Sequence, residues 1–598
     1  MSKSRITIPF LIAINIIVIN AIFISNILQM WPLMGHDYAY FIPRLLDTYL
    51  FLVKNGFTIQ WYTPGFGGGL PAYPNPQHLQ FSLVQFLLFI TNPVNAIIIS
   101  TVIYVGIGFV ACYLLLLRVF SLDVTSSLLG AVFFSANGFI LERVSVGHLG
   151  YQTFPLLAVI LWLVLDKSIT KRSAAIWFGL IVFIMINQAG FYLLFSVGFS
   201  ILMTIALAYI YQPVSVDFKR IVPIFLSGAL IAILLSLSKL AAIYSFMQYF
   251  PRELNIEYKT TFPLGLLGIL LQLLGTMNLV PFSWLAGFNP GNLSGLMVGV
   301  SGAPYGYWEF DMSISPVVFI ILLIGMDKFF HQLKRAPQRF VAERRWIAWL
   351  ALAMFVWLTI EFILGKGLVY PFLRSLPILN SLHVRVRFAS AFLFPIAFLA
   401  SAFYNSWLKN WSQKKTIIVF GFVNFFAILP LLLYFVPQIP ASQARLYNTA
   451  NSYPIYQAIQ TDTVKPVSTI MQSTDTLVLL NGASNFQPYE PIFGYLLENF
   501  HSKLTPGSVW NEQDGFYNMT NPAGFVFPDE NNTRPFERIR VGEEENLRAF
   551  LQHEVPDWKI AIYQQIFNWV SGLTFVLLIL FLFWDNSLIR KIRSHLPR

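Results

Sequence analysis

Long apolar runs broken by short polar segments organise this chain. A helix needs about 20 apolar residues to cross a bilayer. Runs of that kind lie near 7–28, 96–117, 124–141, 154–166, 173–188, 191–211, 221–246, 312–326, 346–365, 388–407, 416–437 and 560–584. Two further apolar stretches, 79–93 and 263–280, read as re-entrant or interfacial. One long polar stretch, 438–558, separates the last two runs. The pattern predicts an all-α polytopic membrane protein of about twelve transmembrane helices, with a small mixed α/β domain before the last one.

Charge placement gives that pattern a direction. Lys3 and Arg5, Arg118, Lys167/Lys171/Arg172, Lys219/Arg220, Lys328 through Arg345, Lys409/Lys414/Lys415 and the tail "RKIRSHLPR" all fall on one side when twelve runs cross. Basic loops stay in the cytoplasm, so both termini are expected there, in a bacterial inner membrane. The first run follows "MSKSR" and has no small-residue cleavage site, so it reads as an uncleaved span. The outer side then receives a first loop at 29–80, the region 247–311 and the polar stretch 438–558, whose fourteen Asp and Glu outnumber seven Lys and Arg. This divides the chain into a transmembrane module at 1–437, an outer domain at 438–558, and a last helix with a basic tail at 559–598.

Composition agrees. The chain is 56% hydrophobic and only 11% charged, against roughly 25% charged for a soluble domain. A net charge of +11 would point a soluble protein toward nucleic acid, but here the basic residues sit in topology-setting loops, and no nucleic-acid partner is expected. The lone cysteine, Cys112, lies in an apolar run and closes no internal disulfide.

The first outer loop carries the chemistry. It opens "GHDYAYFIPR", with His36 and Asp37 at the membrane edge, where a carboxylate is costly unless it is used. Residues 38–54 read as an interfacial helix with Leu45, Leu46, Tyr49, Leu50 and Leu52 in the lipid interface and Arg44, Asp47 and Lys54 toward water. "TPGFGGGLP" lacks the Gly-Lys-Ser/Thr ending of a phosphate-binding loop, which leaves Gly67–Gly69 either as a rigid turn or as backbone brought close to a substrate. In the outer domain, "TDTLVLLNG" reads as a buried strand followed by a turn.

An acidic residue opening the first outer loop, a juxtamembrane helix, many spans and a late outer domain resemble the GT-C class of glycosyltransferases. The text "HDYAYFIPRLLDTYLFLVKNGFTIQWYTPGFGGGLPAYPNPQ" resembles the corresponding loop of the YfhO-like bacterial membrane proteins, and "LLSLSKLAAIYSFMQYFPR" and "LRSLPILNSLHVRVRFASAF" agree. The likeness spans roughly residues 1–430. It implies transfer of a sugar from a polyprenyl-phosphate carrier to an envelope glycan, lipid or protein acceptor on the outer face, with Asp37 as the catalytic base. Many such enzymes carry two adjacent acids. Here His36 precedes Asp37, so a divalent-metal site built from paired carboxylates is not expected, and no Cys or His cluster offers another.

Inverting glycosyl transfer needs a base for the acceptor hydroxyl, cations for the departing phosphate, and exclusion of water. Arginine suits phosphate because its planar fork makes two bonds at once. Candidate phosphate partners are Arg143, Lys239, Arg252, Arg385 and Arg387; candidate cavity residues are His36, Arg44, Gln77, His148 and His383. Each has a plain alternative. Arg143 has Glu142 beside it, Lys239 has the option of snorkelling to the interface, and Arg385 or Arg387 of anchoring to headgroups. Glu361 reads as structural. Two other functions fit the sequence: a lipid or glycan flippase, which intramembrane Lys239 and a broken pattern of spans favour although paired repeats with interrupted helices in both halves are not found, and a non-catalytic scaffold displaying the outer domain, which leaves the charges of the first loop without a purpose.

Overall fold

The computed structural model describes residues 3–28, 31–212, 215–249, 261–286, 300, 306–335, 345–375, 384–408, 411–433, 447–471, 477–486, 490 and 503–584. Among them, nine helices are long and apolar enough to cross a membrane, from Ile8–Ile27 to Ile562–Leu582. Shorter apolar helices occupy Leu149–Leu165, Phe262–Gly275 and Pro316–Met326. The protein is mostly helical and has the composition of a polytopic membrane protein. Its helices expose Leu226, Leu230, Leu323, Leu350, Phe422 and Leu580, as lipid-facing surfaces do.

One expected span, 124–141, and the stretch read as re-entrant or interfacial at 263–280 are both broken, and both breaks matter. The run at 124–141 stops at Ser135 and restarts as Gly138–Ser145. Asn137 caps the restart, accepting from the Ile140 amide at 2.9 Å, as an N-cap side chain does. The stretch at 263–280 is helical over Phe262–Ala286, with left-handed backbone at Gly275 (φ 65°). Around that break the segment 312–314 pairs back onto the helix, Met312 N donating to Gln272 O at 3.1 Å and Ile314 N to Leu273 O at 3.0 Å. At 79–93 only the short helix Leu83–Leu87 forms, tied under the first loop by Gln85 Nε2 to Leu45 O at 3.2 Å.

The first-loop helix, Tyr38–Asn55, does not lie in the lipid interface. Leu45, Leu46, Tyr49, Leu50 and Leu52 are all buried in protein. Asp47 is buried too, accepting from Gln60 Nε2 at 2.7 Å and meeting His553 Nε2 at 2.9 Å. The amphipathic pattern is real, but Asp47 and Arg44 face the 438–558 domain, and only Lys54 reaches water as expected.

That domain is woven into the first loop. Leu33–Met34 pair antiparallel with Tyr447–Asn448. Gly67 N donates to Asn485 O at 2.8 Å, and Thr520 N donates to Gly68 O at 2.8 Å. Gly67–Gly69 therefore bring backbone close to the outer domain. A Cβ on Gly68 would stand 2.3 Å from Leu504, and one on Gly69 2.8 Å from Thr520 O. The domain itself mixes short helices, such as Ser452–Gln460 and Glu544–Leu551, with two three-stranded sheets. In one, Phe516–Thr520 lies between Arg538–Arg540 and Glu512–Gln513, all antiparallel. In the other, Thr469–Met471 pairs parallel with Ala483–Asn485 and antiparallel with Gly507–Ser508. The strand expected in "TDTLVLLNG" is instead a helical turn, Val478–Asn481, and the strand follows it. Gly482, in the left-handed region, ends the turn.

Candidate functional site

Two tight turns meet beside the start of the first-loop helix. The first, Gly35–Tyr38, leads into the first-loop helix. The second, Val144–His148, follows the helix Gly138–Ser145. Asp37 N donates to Val146 O at 3.1 Å, and the Tyr38 hydroxyl donates to Val144 O. Gly147, at φ 80°, makes the approach possible, because a Cβ there would lie 2.5 Å from Tyr38 N. Asp37 occupies the N-cap position of its helix but makes no capping bond. Its carboxylate turns instead to His148, with Oδ2 3.3 Å from Nε2.

His148 is fixed from its other side. Arg143 Nη1 lies 2.8 Å from His148 Nδ1. A guanidinium only donates, so Nδ1 is the acceptor and the proton of the neutral ring sits on Nε2, facing Asp37. Burial first, then the Arg143 and Arg387 guanidiniums, hold the His148 pKa well below the ordinary histidine value. The ring stays neutral, and the carboxylate of Asp37 receives a proton donor without acquiring one.

Glu309 stands at the centre. Its Oε2 accepts from Arg143 Nη1 at 2.7 Å and from Arg387 Nε at 2.6 Å, while Oε1 accepts from Arg387 Nη2. Arg387 Nη1 also donates to the Tyr151 hydroxyl at 2.8 Å, and Arg143 Nη2 donates to Trp308 O. Burial works to raise the Glu309 pKa, but Arg143 and Arg387 outweigh it and hold the group well below the carboxylate range. His36, at φ 54°, sets its ring 4.2 Å from Trp308. Burial lowers its pKa to about 4, with Glu309 opposing and Arg143 adding to the shift. Four separate segments thus build one ion-pair network: the first loop, the 143–151 turn, the Tyr307–Glu309 turn and the start of the helix run at Arg385. Asp37 is its most open member, with 17% of the side chain exposed against 7% for Glu309.

The other candidates lie elsewhere. Lys239 is fully buried, and its ammonium donates to Tyr73 O at 2.6 Å, Asn75 O at 2.9 Å and His78 O at 3.5 Å. It pins the first loop and does not snorkel. Arg385 turns away from Arg387, donating to Tyr370 Oη at 3.0 Å and to Gly365 O at 3.3 Å. In the same corner Glu361 accepts from three consecutive amides, Leu368 to Tyr370, and from Trp357 Nε1, the structural role expected of it. Arg44 pairs with Glu490 at 2.7 Å beneath the outer domain, and Gln77 borders the same helix face beside His78. Arg252 and His383 lie outside the described residues. Arg143 pairs with Glu309 rather than with its neighbour Glu142, whose two carboxylate oxygens have no hydrogen-bond partner.

Sequence reasoning missed Glu309 and Tyr151. Glu309 sits in "YGYWEFDMS", and its signal was a carboxylate flanked by aromatics on the expected outer side, with no basic residue nearby in sequence to balance it. Among the described residues no group of three or more His, Cys, Asp and Glu is disposed to hold a metal ion. The chain matches no known protein family and no characterised protein.

Proposed function

We propose that this protein is a membrane glycosyltransferase of the GT-C type, YfhO-like, that moves a sugar from a polyprenyl-phosphate donor to an acceptor hydroxyl on the outer face of a bacterial inner membrane. The twelve-span topology with both termini in the cytoplasm belongs to this reading. One observation supports it above the others: Asp37, oriented by His148, shares a network with two arginines drawn from distant segments.

In this reading Asp37 takes the proton of the acceptor hydroxyl. The acceptor oxygen then bonds to the anomeric carbon as that carbon's bond to the phosphate oxygen breaks, with inversion. The electron pair leaves on the lipid phosphate, where Arg143 and Arg387 receive the charge. Glu309 pairs with both guanidiniums, so the donor phosphate competes with this carboxylate for them. His148 aims the Asp37 carboxylate. Burial of Arg143, His148, Tyr151 and Glu309 limits the access of water.

The second reading is a flippase, favoured by the helix interrupted at Gly275. Lys239 no longer supports it, since its charge is spent on three carbonyls. The deciding experiment incubates purified protein with a labelled polyprenyl-phosphate sugar and a crude envelope acceptor. Label transfer by wild type and its loss in Asp37→Asn supports the transferase. Lipid movement across vesicles without transfer supports the flippase, and neither activity leaves a scaffold.

A further inference from the structure

A cleft of about 520 Å³ opens between three helices far from the Asp37 network. Its walls come from Lys171–Asn187, Phe218–Met247 and Ile562–Trp584. The lining is apolar along its depth, through Ile176, Ile224, Ile231, Leu577, Leu578 and Phe581. Its mouth is cationic. Arg172 lies with its guanidinium 3.9 Å over the Phe581 ring, which orients the planar fork at the rim. Lys171 Nζ donates to Lys219 O at 3.0 Å, which ties the starts of two of the wall helices together at the rim. Of the carboxylates close in sequence, Asp217 turns its Oδ1 to the Lys219 amide at 3.0 Å as a helix cap, and Asp166 accepts from Trp162 Nε1 at 3.0 Å and from the Ser168 amide at 2.8 Å; Asp585 lies outside the described residues.

The helix directions fix where this cleft sits. The helices at 171 and 218 both begin at it, and Ile562–Trp584 ends at it. At the opposite end the same helices meet through Tyr563 Oη and Ser245 Oγ at 2.7 Å. The cleft therefore runs from one membrane surface inward, and that surface is the one bearing Lys167, Lys171, Arg172, Lys219 and Arg220. A soluble anion would use only the rim. An apolar slot continuing below a cationic rim matches a molecule with both parts.

We propose that this cleft is a specific site for an anionic phospholipid, its phosphate on Arg172 and Lys171 and an acyl chain between Ile231 and Leu578. Basic pockets between transmembrane helices select such headgroups. The site is independent of the transferase reading and would hold equally for a flippase or a scaffold.

Native mass spectrometry of the full-length protein from mixed phosphatidylglycerol and phosphatidylcholine micelles tests it. Wild type is expected to retain one phosphatidylglycerol in preference to phosphatidylcholine. The double variant Lys171→Gln/Arg172→Gln should lose about tenfold of that preference. Ser227→Trp, which fills the slot with the charges intact, should lose the lipid as well. The double variant Lys414→Gln/Lys415→Gln, a basic pair at another helix start, should keep it. Equal retention of the two lipids by wild type, or equal loss in the control pair, overturns the proposal and leaves only annular lipid.

Discussion

Arg143 donates to Nδ1 of His148 at 2.8 Å, and this one contact decides which nitrogen of the ring faces Asp37. The arginine cannot accept, so the histidine cannot carry a proton on that side without losing it. Asp37 and His148 come from segments that are far apart in the chain, and the link between them is a tautomer.

Replacing Asp37 by Asn removes the proton acceptor while keeping the hydrogen bond from His148. Transfer should fall by about 10²–10⁴-fold, while donor binding changes little. Single-turnover transfer and equilibrium binding of the labelled donor, measured on the same preparation, check both halves. Tight donor binding lost together with activity would mean that Asp37 holds the substrate rather than activating it.

Removing Glu309 should separate stability from affinity. Glu309→Ala takes the shared carboxylate from the buried Arg143 and the half-buried Arg387, and breaking a buried pair costs about 3–5 kcal/mol. The melting temperature should drop, and polyprenyl phosphate should restore part of it. Donor affinity should rise, because the internal competitor is gone. A variant that melts early and also binds donor more weakly would argue that Glu309 shapes the phosphate site instead of competing for it.

The pH dependence of stability follows from depressed histidines. His36, brought to about 4, and His148, held well below the ordinary value of about 6.5, both resist protonation in the folded state. The unfolded chain binds those protons first as pH falls, so stability is complete above about 6.5 and declines from there toward about 4. Glu309, held low by its arginines, adds its own loss only at more acid pH. Melting temperatures between pH 8 and pH 4 should slope downward in wild type and flatten in His36→Gln. An identical slope in both would remove His36 from the account.

Lys239 is a fastener for the first loop. Lys239→Met keeps the stem and leaves the carbonyls of Tyr73, Asn75 and His78 without their donor. Each such loss costs about 1–3 kcal/mol. Limited proteolysis should cut the first loop faster, while donor binding by the protein that remains folded stays near wild type. A selective loss of donor binding without faster cleavage would restore Lys239 to the phosphate site.

Much of the architecture was written in composition and periodicity. Apolar length located the long helices because backbone in hydrocarbon has to satisfy its own hydrogen bonds, and that demand is local. The breaks were less legible. Ala136–Asn137 and Gly275 interrupt apolar text that reads as continuous, and only contact with the 311–314 segment explains why the second one turns there. The first-loop helix was visible as amphipathic, but its polar face was assigned to water. A period of 3.6 reports that a helix has two faces and says nothing about what covers each.

Sequence alone determined a chain of membrane-length apolar helices with Asp37 just past the first of them and with arginines in costly places, because the expense of charge beside hydrocarbon can be read one residue at a time. Which of those charges meet was decided by the tertiary structure. Arg143 and Arg387 converge on Glu309, whereas Lys239 and Arg385 spend themselves on backbone and tyrosine oxygens, and Arg44 closes on Glu490. The physical reason is reach: an ion pair forms over a few ångströms in space, and no spacing along the chain encodes which distant segments the packed helices bring within that distance.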